Sequence, residues 1–120
     1  MRPNLTELEK LCCETESIGC FVFSTGTSGD GYTAHGRMFA PAIGVGEDAV
    51  NGNSSGCLGA YLMDLQRKPG GDSRLRLEVL QEYSLGDPST VKVEAKRVGK
   101  NIETLVGGGA RLVGLKDIVL

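Results

Sequence analysis

Ser54-Ser55-Gly56-Cys57-Leu58-Gly59-Ala60-Tyr61-Leu62-Met63-Asp64-Leu65-Gln66 reads as a helix with almost no polar side. At 3.6 residues per turn, Cys57, Leu58, Ala60, Tyr61, Leu62, Met63 and Leu65 cover nearly the whole circumference. A helix apolar all round is one that other structure encloses. Burying each large side chain is worth roughly 1.5–3 kcal/mol, so leaving this helix in solvent would be costly. Gly56 and Gly59 share one face and allow a second backbone to approach closely.

What encloses it is written on either side. Downstream, Pro69, Gly70 and Gly71 break the helix and the period changes to two. Leu75, Leu77 and Val79 alternate with Arg74, Arg76 and Glu78, and Val91, Val93 and Ala95 alternate with Lys92, Glu94 and Lys96. These are strands with one wet face. A turn over Val98 to Asn101 leads to strands near Ile102 to Val106 and Ala110 to Val113, and Ile118 to Leu120 adds a short last pairing. Upstream, Ile18 to Ser24 is a short β-prone run and Thr33 to Ala40 another, ended by Pro41. Thr25 to Tyr32, rich in Gly, Ser, Thr and Asp, is expected to be a loop, as is Ala42 to Asn53. At the N-terminus Leu5, Leu8, Leu11 and Cys12 share one face of an amphipathic helix, capped by Asn4 or Thr6 and running to about Thr15. The expected class is α+β: an antiparallel, barrel-like sheet wrapped around a central apolar helix, with a second helix outside.

Composition narrows the function. At 120 residues the chain is expected to be a single domain, residues 1–120. With 40% hydrophobic and 23% charged residues it is ordinary globular protein, not a disordered chain. Its net charge of −2 comes without a basic block, which argues against a nucleic-acid partner. Met1 to Lys10 carries Glu7 and Glu9 where a signal peptide needs an apolar run, and Gly56 to Leu65 is too short to cross a bilayer. No membrane partner is expected, and the expected location is cytoplasmic. Cys12, Cys13, Cys20 and Cys57 form no C-x-x-C pair and His35 is the single histidine, so no metal site and no cofactor are expected. The cysteines read as reduced, partly buried small apolar residues.

The stretch able to carry chemistry runs from Gly36 to Gly56: a strand, a loop with two acids, Glu47 and Asp48, and the start of the apolar helix. Free N–H groups and the positive dipole end of a helix favour an anion there. Gly52 permits close approach, and Asn53, Ser54 and Ser55 offer side-chain donors. A carboxylate such as Asp48 beside a bound acid could move a proton within it. The plainer reading is that Asn51, Asn53 and Ser54 cap the helix while the acids complement its dipole, and spacing alone favours it.

The same stretch resembles the signature of the PhzF-like family, named for the phenazine-biosynthesis isomerase. Arg37, Phe39, Pro41, Gly44, Glu47, Asp48, Val50, Gly52, Asn53 and Gly56 fit it, and Gly59, Ala60 and Tyr61 fit the helix that follows. Gln81, Gly86, Pro88 and Ser89 look like a downstream part of the pattern, Val106, Gly107, Gly108 and Ala110 like its final glycine-rich turn, and Arg2-Pro3-Asn4-Leu5 like the opening of its C-terminal lobe. The resemblance implies one lobe of the diaminopimelate epimerase-like fold, equivalent to the C-terminal lobe, with the N-terminal lobe absent. It implies that Asp48 is the catalytic aspartate of this lobe, with Glu47 as the secondary candidate. It further implies that Gly52 and Asn53 bind the substrate carboxylate, beside the Ser54 donor. Ala49 stands where the family usually has proline, and Asn51 where it usually has threonine. The family's principal acid/base glutamate has no counterpart in this chain, and His35 does not replace it.

Two functions follow as expectations. One is an isomerase or epimerase half that moves a proton on a small carboxylic acid, its cleft completed by an N-terminal lobe or by a homodimer that brings Asp48 to the interface. The other is a non-catalytic module that binds a small anion or a partner. An inactive fragment is the third possibility. Whether the chain is an enzyme therefore turns on what stands opposite Asp48.

Overall fold

The computed structural model describes residues 2–28, 31–66, 73–81, 86 and 88–119. Helix α1 (Leu5–Glu14) begins at the cap Asn4, whose Oδ1 accepts the Glu7 N–H at 3.3 Å. Strands β1 (Cys20–Ser28) and β2 (Gly31–Ala40) pair along their whole length, from Cys20 opposite Phe39 to Ser28 opposite Gly31. A 3-10 turn (Pro41–Ile43) and Gly44, at φ +80°, lead into β3 (Val45–Asp48). That left-handed backbone suits glycine and strains other residues. Helix α2 (Gly52–Leu65) follows, then β4 (Arg74–Gln81), β5 (Ser89–Val98) and β6 (Asn101–Gly107).

The sheet order is β1-β2-β4-β5-β6, with β3 paired to β2 off this path. One edge of β2 is taken up by β1. The other is divided: Tyr32 to His35 pair with β4, and Met38 and Ala40 pair with β3. β4 and β3 therefore meet near Gly36, and this is where Gln81 and Asp48 come together.

The period-two reading of the strands is borne out. Leu75, Leu77, Val79, Val91, Val93 and Ala95 are buried and, with Ala34, form one core with Leu58, Leu62 and Met63 of α2. The opposite face carries cross-strand ion pairs, Arg74 and Arg76 to Glu94 and Lys96 to Glu103, at 3.3–3.6 Å. Exposed pairs of this kind add little stability. Helix α2 lies across the inner face: Tyr61 meets Phe23 of β1 edge-on at 6.2 Å, while Gly59 rests on Val93. At its C-terminal end Arg97 donates to the Met63 carbonyl at 3.1 Å and the Gln66 carboxamide to the Tyr32 hydroxyl, so that end of the helix is fixed.

Four expectations are corrected. First, β2 and β4 run parallel, so the sheet is mixed. Their connection contains α2, a crossover long enough to return the chain in the same direction, and periodicity carries no sign of direction. Second, the loop expected over Thr25 to Tyr32 is strand as far as Ser28 and again from Gly31, and the loop after Pro41 contains β3. Polar residues there lie on a strand arm whose residues 24–26 are exposed, so apolar alternation is lost while pairing persists. Third, pairing stops at Gly107, and residues 108–119 belong to no strand, so the expected strand over Ala110 to Val113 and the Ile118 to Leu120 pairing are not formed among the described residues. Leu115 and Val119 are 92% and 96% exposed. The sheet is consequently open between β1 and β6. Fourth, α2 is not enclosed: Cys57, Tyr61 and Leu65, spaced four residues apart, form an exposed stripe. The expected break over Lys68 to Asp72 falls outside the described residues.

Candidate active site

The strand-to-helix corner places the predicted residues. Met38 of β2 sits opposite Asp48, with an irregular register between Met38 and Ala40, so β3 ends on Asp48 just before α2 starts. One residue earlier, Glu47 is committed to Arg37. Arg37 Nε and Nη2 donate to the two Glu47 carboxylate oxygens at 2.8 and 2.9 Å, and the guanidinium stacks over the Phe39 ring at 4.8 Å. This planar two-bond clamp fastens β3 to β2. The hydrogen bond to Glu47 raises the Arg37 pKa above its ordinary value, burial opposes this, and the Glu47 charge adds to the rise.

Asp48 is held differently. Its Oδ2 accepts from Asn51 Nδ2 at 2.8 Å. Asn51 is the N-cap of α2: its Oδ1 accepts the Ser54 N–H at 2.7 Å, and its carbonyl accepts the Ser55 N–H at 3.2 Å and Oγ at 2.8 Å. Its own N–H donates to Oε1 of Gln81 at 2.9 Å. Because Ser54 N–H serves the cap, it is not available to a ligand, and Ser54 Oγ points to Met38 Sδ at 3.4 Å. Gly52 and Asn53 are the first two residues of α2, and neither N–H has an acceptor among the described residues. Two unpaired N–H groups at a helix start are what an anion needs.

Beside them a hollow of about 550 Å³ is lined by Val50, Gly52, Ser89, Val91, Val106 and the glycine run 107–109. That is in the size range of small-molecule sites. A second hollow of about 620 Å³ lies on the charged outer face, among Arg76, Glu78, Lys92, Glu94 and Leu105. Gly52 at the helix start lines the smaller hollow and not this one, and Asp48 lines neither.

Gln81 is the residue that spacing missed. It is 1% exposed, and its Nε2 has no acceptor among the described residues. An unsatisfied buried donor costs about 1–3 kcal/mol. The signal was present: Leu75, Leu77, Val79 and Gln81 form one inward row, and the last member is polar. His35 is exposed on the opposite face of β2 and takes no place at this corner. The cysteines are free; Cys12 is buried, Cys20 half-buried, and Cys13 and Cys57 are exposed. Among the described residues no helix is long and apolar enough to cross a membrane.

A six-stranded mixed sheet with a helix laid on its inner face, and a carboxylate hydrogen-bonded to that helix's N-cap, define a mixed α+β fold. The chain belongs to the phenazine biosynthesis-like protein family (PhzC-PhzF), whose profile matches residues 1–114. It is 35% identical to an uncharacterized isomerase of Clostridium acetobutylicum over all of this chain and 40% of that protein. It is 28% identical to an uncharacterized isomerase of Deinococcus radiodurans over 94% of this chain and 36% of that protein. To the trans-2,3-dihydro-3-hydroxyanthranilate isomerase of Pseudomonas aeruginosa it is 31% identical, over 78% of this chain and 30% of that protein. The chain spans two-fifths or less of the length of these relatives.

Proposed function

We propose that this chain is the C-terminal lobe of a PhzF-like isomerase and moves a proton on a small carboxylic acid. The substrate carboxylate rests on the Gly52 and Asn53 N–H groups at the start of α2, and Asp48 exchanges the proton. The observation that carries this reading is the pair of unpaired N–H groups within one turn of a carboxylate whose Oδ2 alone is engaged by Asn51. A helix N-terminus favours the bound anion, and a fixed carboxylate at its edge is placed for acid–base work.

A second lobe completes the cleft and the sheet. Its need is supported by the open edges of β1 and β6, the bare stripe of Cys57, Tyr61 and Leu65, and the exposed Leu112, Val113, Leu115, Ile118 and Val119. A complementary N-terminal lobe, or a second copy related by a twofold axis, closes the barrel around α2 and makes that helix central. The non-catalytic anion-binding reading is favoured by one observation: the side chain hydrogen-bonded to the Asp48 carboxylate is Asn51, which is neither an acid nor a base.

Deuterium incorporation from heavy water into trans-2,3-dihydro-3-hydroxyanthranilate, the compound in the name of the Pseudomonas relative, separates the two. Incorporation by the chain, rising more steeply than its concentration and lost in Asp48→Asn, supports the isomerase with a second copy completing the cleft. Incorporation unchanged by Asp48→Asn overturns the role of Asp48, and carboxylate binding without incorporation supports the binding module.

A further inference from the structure

Asn51 stands where the family usually has threonine, and the structure gives it work beyond capping. We infer that Asn51 is the positioning residue of this site: it locks the Asp48 carboxylate to the N-terminus of α2 and is itself anchored by Gln81 from β4. The inference rests on the reading of Asp48 as the proton-moving group. All of Asn51's hydrogen-bonding groups are in use. Oδ1 takes the Ser54 N–H, Nδ2 gives to Asp48 Oδ2, the carbonyl takes Ser55, and the backbone N–H gives to Gln81 Oε1. The Ser54 bond fixes which end of the carboxamide is oxygen, because a backbone N–H can only donate, so Nδ2 must be the end that faces Asp48. Gln81 is fixed by the same logic, since its Oε1 receives the Asn51 N–H.

The consequence is mechanical. The carboxamide is rigid, so Asp48 Oδ2 and the Ser54 N–H are held at a set separation, and the two halves of the site cannot drift apart. Only Oδ1 of Asp48 is left to face a substrate. Gln81 is buried in the last inward position of β4, so the hub is tied to the core rather than to a loop. Gln81 Nε2 is buried with no acceptor among the described residues, so the oxygen is the end of this carboxamide that makes a bond.

Asn51→Asp separates positioning from capping. Aspartate caps a helix as well as asparagine and complements the dipole better, so a residue that only caps leaves this variant melting at or above wild type. A residue that holds Asp48 turns a donor–acceptor contact into two facing carboxylates, and the variant melts about 4–8 °C lower at neutral pH. The exchanged pair, Asp48→Asn with Asn51→Asp, restores a donor facing an acceptor and recovers most of the loss. In the NMR spectrum of wild type, one Asn51 side-chain N–H proton lies downfield and exchanges slowly. Asp48→Ala removes that signature while the Ser54 amide stays protected. Asn51→Asp melting at or above wild type, no recovery in the exchanged pair, or Asn51 side-chain signals indifferent to Asp48→Ala would each overturn the inference. If the exchanged pair and the spectra behave as expected while Asp48→Asn keeps full deuterium incorporation, it is the proton-transfer reading that falls and the Asn51 tie that stands.

Discussion

Gly59→Ala is the sharpest probe of how α2 lies on the sheet. Taken alone, the change favours the helix: alanine is better than glycine in a helix interior by about 0.8–1.0 kcal/mol. Against this, the new Cβ would come 2.7 Å from Val93 Cγ1 and 3.7 Å from Ala95 Cβ. Val93 is 3% exposed on β5, between β4 and β6, and has nowhere to move. Forcing a methyl into such a site typically costs about 1–3 kcal/mol. The overlap outweighs the propensity, and the net expectation is a loss of about 1 kcal/mol. In urea, with a slope near 2 kcal/mol per molar for a domain of this size, the midpoint falls by roughly 0.5 M. Gly56→Ala is the internal control. Its Cβ would lie 3.0 Å from Val106 Cγ2 and 3.3 Å from Thr104 Oγ1, but β6 is an edge strand and Val106 is 44% exposed. There the side-chain ends can yield, and the midpoint is unchanged or rises. Combining Gly59→Ala with Val93→Ala removes the obstructing methyls, so the double variant is more stable than the sum of the single losses. A Gly59→Ala midpoint that rises as much as the propensity allows would show that α2 does not rest on Val93, and the placement of the helix would be wrong.

Three further outcomes follow from the same contacts. Arg37→Lys loses the two-bond clamp on Glu47 while keeping the charge, and lowers stability by about 1 kcal/mol after solvent screening. Since folding raises the Arg37 pKa, its contribution is complete below the unfolded value and is lost only as pH climbs through the higher folded one. Urea midpoints of wild type and Arg37→Lys therefore keep a constant separation from neutral to mildly alkaline pH; a gap that closes in that window contradicts the assignment. Replacing Leu115 and Ile118 by aspartate leaves the thermal midpoint of the dilute chain unchanged, because both are largely exposed. Sedimentation at high concentration then shows weaker self-association than wild type, and a large fall in the dilute midpoint would instead mean the tail packs on its own lobe. With a thiol reagent in the native state, Cys13 and Cys57 react first, whereas Cys12 reacts only on unfolding. Mass mapping of the labelled residues checks that order.

Some of this is legible in the sequence. The inward rows of β4 and β5, the cap at Asn4 and the long helix all follow from spacing, since period and capping are local properties. The parallel pairing of β2 with β4 was not, because direction depends on where the chain returns and leaves no periodic trace. The apolar circumference of α2 led to an enclosed helix. Composition states what a surface would prefer to bury and not which chain covers it, and the stripe of Cys57, Tyr61 and Leu65 lies bare. At the candidate site the residue types were readable and their division of labour was not. Glu47 and Asp48 are adjacent, yet opposite strand faces send one to Arg37 and the other to Asn51. Ser54 gives its N–H to the cap, leaving Gly52 and Asn53 as the open donors. Gln81, thirty residues from Asn51, joins the corner only because β4 and β3 end at neighbouring places along β2.

The central claim is that the start of α2, beside Asp48, holds a small carboxylate. Amide NMR of the isotope-labelled chain titrated with anthranilate tests it most directly. The account predicts saturable shifts centred on Gly52 and Asn53, with smaller ones along the glycine run 107–109 that borders the same hollow. Asp48→Asn, which removes a neighbouring negative charge, binds the probe more tightly. Shifts centred on the charged outer face around Arg76 and Lys92, or binding weakened by Asp48→Asn, would contradict it.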